Sequence, residues 1–399
     1  MLFRDKRGFT LTELIVVMAI FLTVIMITAT AFKTIVNSSS QQSKSVETQI
    51  EGIVGLEVLR ADLEHTGFGL PWAFQAPVTY EEATDASTIP ASFWPSGQSP
   101  ASFNDAVNAA PGNVPRAILS GNTTFNKDSN DIGSKYLVIK STMAVANDTS
   151  KKWRTVAFDK DGVRVTRPWD VTERDFSSDE RVIVVKNSLM TTPPTRQLAA
   201  SASTVFSATF GNYTTLTVPH LNGDTFEIYG VNPDTDLRMP FNRADYYVRR
   251  PTKVPKSCME SPGVGILYKS TVIQGSGGLA PLGGMPLLDC VADMQVVYGL
   301  DNDGAGRVNQ YLGAPATTVS PTAADIRNQL REIRVYILAQ EGLKDVLFTY
   351  PSETVTVGEV LNGILRGRVF NLKDRLGPDY KYYRWKVYTI VVRPKNLVQ

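Results

Sequence analysis

The strongest hydrophobic pattern in the chain lies close to its N-terminus. An apolar run extends from Leu14 to Phe32, and the polar side chains inside it are three threonines. At about 1.5 Å per helical residue the run is roughly 28 Å long, close to the ~30 Å thickness of the hydrocarbon core of a bilayer. Threonine hydroxyls can bond to carbonyls of the preceding helical turn, so they are compatible with such a helix. The pattern predicts one membrane-spanning helix.

The helical pattern continues beyond this run. Apolar residues recur at gaps of three and four, which is the spacing of one stripe along a helix. The stripe consists of Val46, Ile50, Ile53, Leu56, Leu59 and Leu63. Gly67, Gly69 and Pro71 then favour an end to the helix. We therefore predict one long amphipathic and transmembrane helix over residues 9–65, membrane-spanning to about residue 33, whose second half packs against the rest of the chain.

The remainder of the chain has the pattern of a β-rich head over residues 66–399. Residues 71–115 are rich in Pro, Ala, Ser and Asn, lack periodicity and predict a surface loop or peripheral insertion. Short β-type runs then follow one another between turn residues, without strand–helix alternation, which predicts an α+β protein with a mostly antiparallel sheet. The predicted strands include Tyr136 to Ala144, Arg181 to Lys186, Thr214 to Val218, Thr225 to Val231, Asp245 to Arg249, Gly265 to Ile273, Cys290 to Leu300, Arg331 to Ala339, Val346 to Tyr350 and Tyr382 to Arg393.

Composition and charge narrow the class of protein. With 43% hydrophobic and 20% charged residues, the 399-residue chain is neither disordered throughout nor a polytopic membrane protein. Its net charge of +2 comes from 41 basic and 39 acidic residues. The first eight residues hold three bases and one acid, so the remainder has 41 − 3 = 38 bases and 39 − 1 = 38 acids. A neutral remainder gives no general electrostatic reason to expect a nucleic-acid partner.

Charge near the N-terminus separates three explanations of the apolar run. Arg4, Lys6 and Arg7 precede the run and favour a cytoplasmic N-terminus, with everything after Lys33 on the outer side. A cleaved secretory signal has an apolar core of roughly 7–15 residues, shorter than this one. A plain membrane anchor explains length and orientation but not Glu13, because a carboxylate at the membrane edge is costly unless it is paired.

The third explanation rests on the residues that join the basic cluster to the helix, Lys6-Arg7-Gly8-Phe9-Thr10-Leu11-Thr12-Glu13. Followed by an apolar helix, they resemble the class III signal of type IV prepilins and type II secretion pseudopilins. The resemblance implies that a prepilin peptidase cuts after Gly8, that residues 1–8 are a leader peptide, and that the new N-terminal residue, Phe9, is N-methylated. It also implies that Glu13 pairs with the N-terminal amine of a neighbouring subunit, since two charges inside an apolar fibre are tolerable only together.

Further segments resemble PilW-type minor pilins, namely Leu59 to Leu70, Leu288 to Asp301, Arg331 to Val335 and Arg384 to Asn396. The resemblance implies a pilin- or pseudopilin-like fold. It also implies insertion in the bacterial inner membrane as a single-pass protein and later assembly with other minor and major pilins into the tip or priming complex of a surface pilus. Two alternatives remain open, a minor pseudopilin of type II secretion and an adhesin-like head displayed on a pilus.

The two cysteines of the chain, Cys258 and Cys290, both lie in the exported part. An even number of cysteines in an oxidising compartment favours a disulfide. The alternative is a pair of free, buried thiols.

Candidate sites for metals and catalysis are few. Asp301-Asn302-Asp303-Gly304 resembles the start of a calcium-binding loop, with Asp301 and Asp303 as candidate ligands, but Leu312 stands where the bidentate acid of such a loop should be. A hairpin turn is the alternative explanation. His65 and His220 are the only histidines, and no nucleophile or carboxylate has a catalytic setting. We therefore expect a non-enzymatic protein without a cofactor, apart from the calcium hypothesis.

Overall fold

The chain folds into a long N-terminal helix followed by a mostly antiparallel β head, as the computed structural model of the protein shows. The predicted α+β class is confirmed. The structure describes residues 10–74, 77–85, 89–106, 113–130, 132–159, 162–165, 175–188, 195–216, 224–313 and 321–397.

Helix α1 runs over Leu11–Glu64, which is 54 residues. Thr10 caps its N-terminus in a capping box, because its hydroxyl accepts the N–H of Glu13 while the Glu13 carboxylate accepts the N–H of Thr10. The first part, Leu11–Val36, has a mean hydropathy of 2.7 and is long and apolar enough to cross a membrane. His65 ends the helix, and its backbone N–H donates to the carbonyl of Ala61.

The head contains short helices and strands of very different lengths. The two short α-helices are α2 (Ala323–Gln329) and α3 (Leu372–Leu376) within the described ranges. The strands are β1 (Ala73–Phe74), β2 (Ile118–Asn122), β3 (Lys135–Ser141), β4 (Trp153–Asp159), β5 (Gly162–Val165), β6 (Arg181–Ser188), β7 (Thr195–Leu198), β8 (Ala208–Thr209), β9 (Thr225–Asn232), β10 (Asn242–Arg249), β11 (Gly265–Val272), β12 (Leu279–Leu300), β13 (Gln310–Leu312), β14 (Leu330–Glu341), β15 (Thr354–Leu361), β16 (Ile364–Asn371) and β17 (Arg384–Val392).

These strands form two larger sheets and a separate hairpin. The large sheet has the order β17-β14-β12-β11-β10-β3-β2, with β13 paired to β12, and all of its pairs are antiparallel. The second sheet has the order β1-β7-β6-β9-β4-β5, and β1–β7 is its parallel pair. β15 and β16 form an antiparallel hairpin. The head is therefore mostly antiparallel, as the turn-separated pattern predicts.

The end of α1 packs against the large sheet through a very close approach. Leu56, Leu59 and Leu63 are buried in a core cluster that also contains residues of both larger sheets. A Cβ atom placed on Gly55 would lie 1.7 Å from the carbonyl oxygen of Leu287 in β12, so only glycine allows this distance between helix and strand. Gly55 therefore serves the contact with the head.

The predicted apolar stripe of α1 is only partly correct. Val46 and Ile53 are 54% and 57% exposed, while the leucines of the last turns are buried. The buried face runs through Gly52, Gly55 and Leu59 to Thr66, again at helical spacing. Two glycines on this face carry no hydrophobic signal, which is why a pattern of apolar side chains misplaces it.

Residues 71–115 are not a peripheral loop, and this expectation is wrong. Their described part places several large side chains in the main core, including Val78, Tyr80, Ile89, Phe93, Trp94 and Phe103. These residues are spaced irregularly in a Pro- and Ser-rich context, so they have no strand or helix period to reveal them. The segment covers the large sheet and supplies part of its hydrophobic contact.

Buried charges also hold this segment to the sheet. The ammonium of Lys140 in β3 lies 2.6 Å from carboxylate oxygens of both Glu82 and Asp105. In β10, Arg243 donates to Asn104 at 2.7 Å and is paired with Asp245 at 2.8 Å. Because each buried charge has an opposite charge beside it, the cluster avoids the desolvation penalty of a lone ion.

Most predicted strands exist, and two are wrong. Residues 214–215 of the predicted strand Thr214 to Val218 belong to a 3-10 helix, and 217–218 lie outside the described residues. Val346 to Tyr350 is a turn, whose backbone bonds instead to the segment that precedes β17. The following hairpin, β15–β16, and the strands β2, β4, β5 and β7 have no counterpart in the sequence prediction.

Candidate functional site

The N-terminal segment is the first candidate site, and the structure describes only the part of it that begins at Thr10. Gly8 and Phe9, the predicted cleavage and methylation positions, lie outside the described residues. Glu13 lies in the first turn of α1, and its carboxylate accepts the N–H and the hydroxyl of Thr10, each at 2.9 Å. The acid is thus placed at the beginning of the apolar helix.

The membrane-length part of α1 presents its apolar side chains outward along its whole length. The predicted limits of the apolar run, Leu14 and Phe32, are 59% and 68% exposed. The threonines inside the run satisfy their own hydroxyls, since Thr23 donates to the carbonyl of Ile20 at 2.7 Å and Thr28 donates to that of Val24 at 2.8 Å. This helix is suited to an apolar environment on every side, either lipid or the apolar helices of other subunits.

A single carboxylate on such a helix needs a partner once water is removed. Within the described residues, the hydrogen bonds to Glu13 come from Thr10, and the ion pairs include none to it. Burying an unpaired carboxylate costs several kcal/mol, roughly, while pairing it with a cation removes most of the cost. The geometry leaves Glu13 able to accept a cation from outside the chain.

A second site, which the sequence pattern did not reveal, fixes the helix to the head. The carboxylate of Asp62 lies 2.5 Å from the ammonium of Lys269 in β11 and also accepts the hydroxyl of Tyr246 in β10. Burial raises the pKa of Asp62, and the nearby Lys269 partly opposes this. An acid between the buried leucines Leu59 and Leu63 is the signal that could have indicated a paired residue. The pair connects helix and sheet specifically, because either charge alone would be buried without a partner.

The predicted disulfide between Cys258 and Cys290 is confirmed. The two cysteines are bonded, with Cα atoms 5.0 Å apart and a sequence separation of 32. Both are buried in a second hydrophobic cluster, together with Met259, Leu338 and Trp385. The bond connects the loop before β11 to the middle of β12. No free cysteine remains, since these are the two cysteines of the chain.

The structure does not support the calcium hypothesis for Asp301 and Asp303. The carboxylate of Asp301 is already paired with Arg331 at 2.8 Å and accepts the N–H of Gly306 at 2.9 Å. Although burial opposes it, these contacts lower the pKa of Asp301. Asp303 accepts the N–H of Ala305 at 3.0 Å. Within the described residues no group of three or more His, Cys, Asp or Glu side chains could hold a metal.

The same loop matches the alternative explanation instead. β12 and β13 pair antiparallel, with Leu300 opposite Gln310, so residues 301–309 connect the strands of a hairpin. The loop is longer than a two-residue turn, and Asp301 organises it by accepting backbone N–H groups. The oxygen pattern that resembles a calcium loop is thus used to shape the turn.

Comparison with known families agrees with this architecture. The family model described as "Prokaryotic N-terminal methylation motif" matches residues 3–29. The N-terminal segment is therefore similar to those of proteins that carry this motif. The model described as "PilW: Type IV Pilus-assembly protein W" matches residues 245–396, from β10 to the end of the large sheet. The chain therefore matches a PilW-like type IV pilin, and the predicted resemblance is confirmed. No curated protein and no solved structure matches the chain.

These matches also bear on the class of function. One family description concerns pilus assembly and the other an N-terminal methylation motif, and neither describes an enzyme. An N-terminal apolar helix that overlaps the methylation motif is consistent with a membrane-anchored pilin. The two matches cover the N-terminus and the last third of the chain, while the second sheet lies outside both.

Proposed function

We propose that the chain is a minor pilin of a type IV pilus that helps to initiate pilus assembly or forms part of the pilus tip. The observation that carries the proposal is the exposed, apolar helix Leu11–Val36 with Glu13 at its start, most of which lies within the match to the methylation motif. It acts structurally rather than as an enzyme and needs no cofactor. The match to a pilus-assembly family favours a pilus over type II secretion.

The proposed life cycle is the one that the resemblance to prepilins implies. Prepilin peptidase removes residues 1–8 after Gly8 and the amine of Phe9 is methylated. Before assembly the chain is a single-pass protein of the inner membrane, with its N-terminus cytoplasmic and residues 66–399 outside. During assembly the helix leaves the lipid for the fibre, where Glu13 pairs with the N-terminal amine of a neighbouring minor or major pilin. The balanced charge of residues 9–399 gives no general electrostatic reason to expect a nucleic-acid partner.

A deletion strain tests the assembly role. Loss of surface pili and twitching motility, restored by the wild-type chain, is expected if the protein initiates or caps the pilus. Restoration should fail with a chain whose residues 1–8 carry Gly8→Glu, because the leader then remains attached. Normal piliation with impaired protein secretion would instead indicate the type II secretion alternative. Normal piliation with lost surface attachment would indicate the adhesin-like alternative.

A further inference from the structure

Lys135 differs from the other buried lysines of the described chain in what its ammonium group contacts. Lys140 and Lys269 are both buried, and each lies within 2.6 Å of a carboxylate oxygen. Lys135 is 7% exposed, and within the described ranges no carboxylate forms an ion pair with its ammonium group. Its Nζ atom donates instead to the side-chain carbonyl oxygen of Asn122, at 2.7 Å. A lysine amine is therefore held in a buried place against a carboxamide.

The backbone fixes these two side chains beside each other. Asn122 is the last residue of β2 and Lys135 is the first of β3, and they are direct partners in the antiparallel register. The two residues before Lys135 are also anchored, since the Ser134 hydroxyl accepts the N–H of Met294 and the Gly133 carbonyl accepts the side-chain amide of Gln295. Amine and carboxamide are thus brought together by the sheet rather than by flexible side chains alone.

The surroundings make the neutral, nucleophilic form of this amine more accessible than it is in an exposed lysine. Burial lowers the pKa of Lys135 to about 8, with Asp293 and Arg368 acting in opposite directions. Those two groups neutralise each other, because Arg368 binds both carboxylate oxygens of Asp293, at 2.6 and 2.8 Å. A buried lysine without its own counter-ion loses its proton at a lower pH than an exposed lysine does, and its neutral form is a nucleophile.

We propose that the amine of Lys135 and the carboxamide of Asn122 form an intramolecular amide bond that joins β2 to β3. The neutral Nζ attacks Cγ of Asn122, the bond from Cγ to Nδ2 breaks, and ammonia leaves with the proton that Nζ gives up. No oxidant, cofactor or second protein is consumed.

Such a bond would matter because β2 is the outermost strand at its side of the large sheet. β2 pairs with β3 alone in that sheet. A covalent link at the β2–β3 register would keep this edge from separating when the head is pulled, and the Cys258–Cys290 bond ties a different part of the same sheet. The inference does not depend on the function proposed above.

Peptide mapping of the full-length protein isolated from membranes tests the bond directly. Trypsin cleaves after Arg116, Lys127, Lys135 and Lys140, so the unlinked chain yields the separate peptides 117–127 and 128–135. The linked chain yields a branched species of peptides 117–127 and 128–140, lighter than their sum by one ammonia, because trypsin does not cleave at an acylated lysine. Cyclisation of an asparagine also loses ammonia but yields no branched peptide.

Two variants and one matched control complete the test. Lys135→Arg and Asn122→Ala should abolish the branched species. Lys127→Arg lies in the same β2–β3 connection and keeps the trypsin site, so the branched species should persist. Recovery of the linear peptides 117–127 and 128–135 as the only products of the wild-type protein would overturn the proposal, whether or not residues 1–8 have been removed.

Discussion

Glu13 is the residue whose chemistry conflicts most with its surroundings. It is an acid at the start of an apolar helix, and the structure gives it the capping role of accepting the N–H of Thr10. Capping stabilises a helix by about 1 kcal/mol. This is too little to offset the desolvation of a carboxylate inside an apolar fibre, which costs several kcal/mol. The acid therefore fits a role in pairing between subunits better than a role in helix capping alone.

Glu13→Val is expected to hinder pilus assembly far more than membrane insertion, because valine suits lipid but cannot pair with an amine. The measurement is the amount of protein in sheared surface fibres relative to the membrane fraction. Thr12→Val, one residue away on the same turn, serves as the control and should assemble normally. Equal incorporation of Glu13→Val and wild type into fibres would refute the pairing role.

The buried acid Asp105 allows a test of the charged contact between residues 71–115 and the sheet. Although burial opposes it, Lys140 and Arg116 lower the pKa of Asp105. A carboxyl whose pKa is lowered by folding stabilises the protein above its unfolded pKa of about 3.9 and loses this contribution as pH falls through the lower folded value.

Asp105→Asn should therefore lower the free energy of unfolding by about 3–5 kcal/mol at neutral pH, since it leaves Lys140 and Arg116 with one carboxylate fewer. The difference from wild type should shrink in acid, where the wild-type carboxyl also becomes neutral. Asp148→Asn, at an exposed ion pair with Lys151, provides the control with little expected change. A difference that is constant from pH 7 to about pH 2 would contradict the ionic role.

Among the elements, the long helix and the regular strands could be predicted from sequence, and the irregular ones could not. α1 has a long apolar run, and β10, β11, β14 and β17 have clear β-type runs, so their patterns are strong. The hairpin β15–β16 escapes sequence prediction because each of its strands contains a glycine, Gly358 or Gly367, which interrupts the pattern of a strand. The contact of residues 71–115 with the core depends on tertiary partners that no local period encodes.

The candidate site divides in the same way. The residues of the N-terminal segment are contiguous, so their order alone indicates the resemblance to prepilins. Asp62, Lys269 and Tyr246 come from three distant places in the chain and meet only after folding. The calcium hypothesis is wrong for a related reason. The acids of the 301–309 loop are adjacent in sequence, but Arg331, which pairs with Asp301, comes from a distant strand and meets it only after folding.

The contact between α1 and β12 predicts different effects for alanine substitutions at two glycines of the helix, Gly55 and Gly52. Gly55→Ala should destabilise the head by about 1–3 kcal/mol despite the better helix propensity of alanine, because the new Cβ would overlap the Leu287 carbonyl. Gly52→Ala should cost less, since its Cβ would lie 2.9 Å from the movable end of the Leu288 side chain. Chemical denaturation of the two variants in detergent is the measurement. Equal stabilities would contradict the close helix–strand approach.

At the scale of the whole molecule, the disulfide connects the loop before β11 to the middle of β12, within the second core cluster. Cys258→Ser with Cys290→Ser should lower the free energy of unfolding by roughly 3–4 kcal/mol in the chain-entropy account, for a loop of this length. Thermal unfolding of the oxidised wild type and the double variant is the measurement. Two alkylatable thiols in denatured, unreduced wild-type protein would contradict the presence of the bond.

The net charge of the whole chain comes from its N-terminal segment. The net charge of +2 belongs to residues 1–8, and without them the chain has 399 − 8 = 391 residues and a neutral set of side chains. In the proposed processed chain, assembly depends on two charges, the amine of Phe9 and the carboxylate of Glu13. Recognition between subunits would be local rather than a matter of overall charge.

The measurement that tests the central proposal most directly is the intact mass and N-terminal residue of the protein from the membrane fraction. We predict a chain of 391 residues that begins with N-methylated Phe9. A strain without prepilin peptidase should yield the uncleaved chain as the control. A wild-type chain that begins at Met1, or at Phe32 after cleavage behind Ala31, would contradict processing as a prepilin.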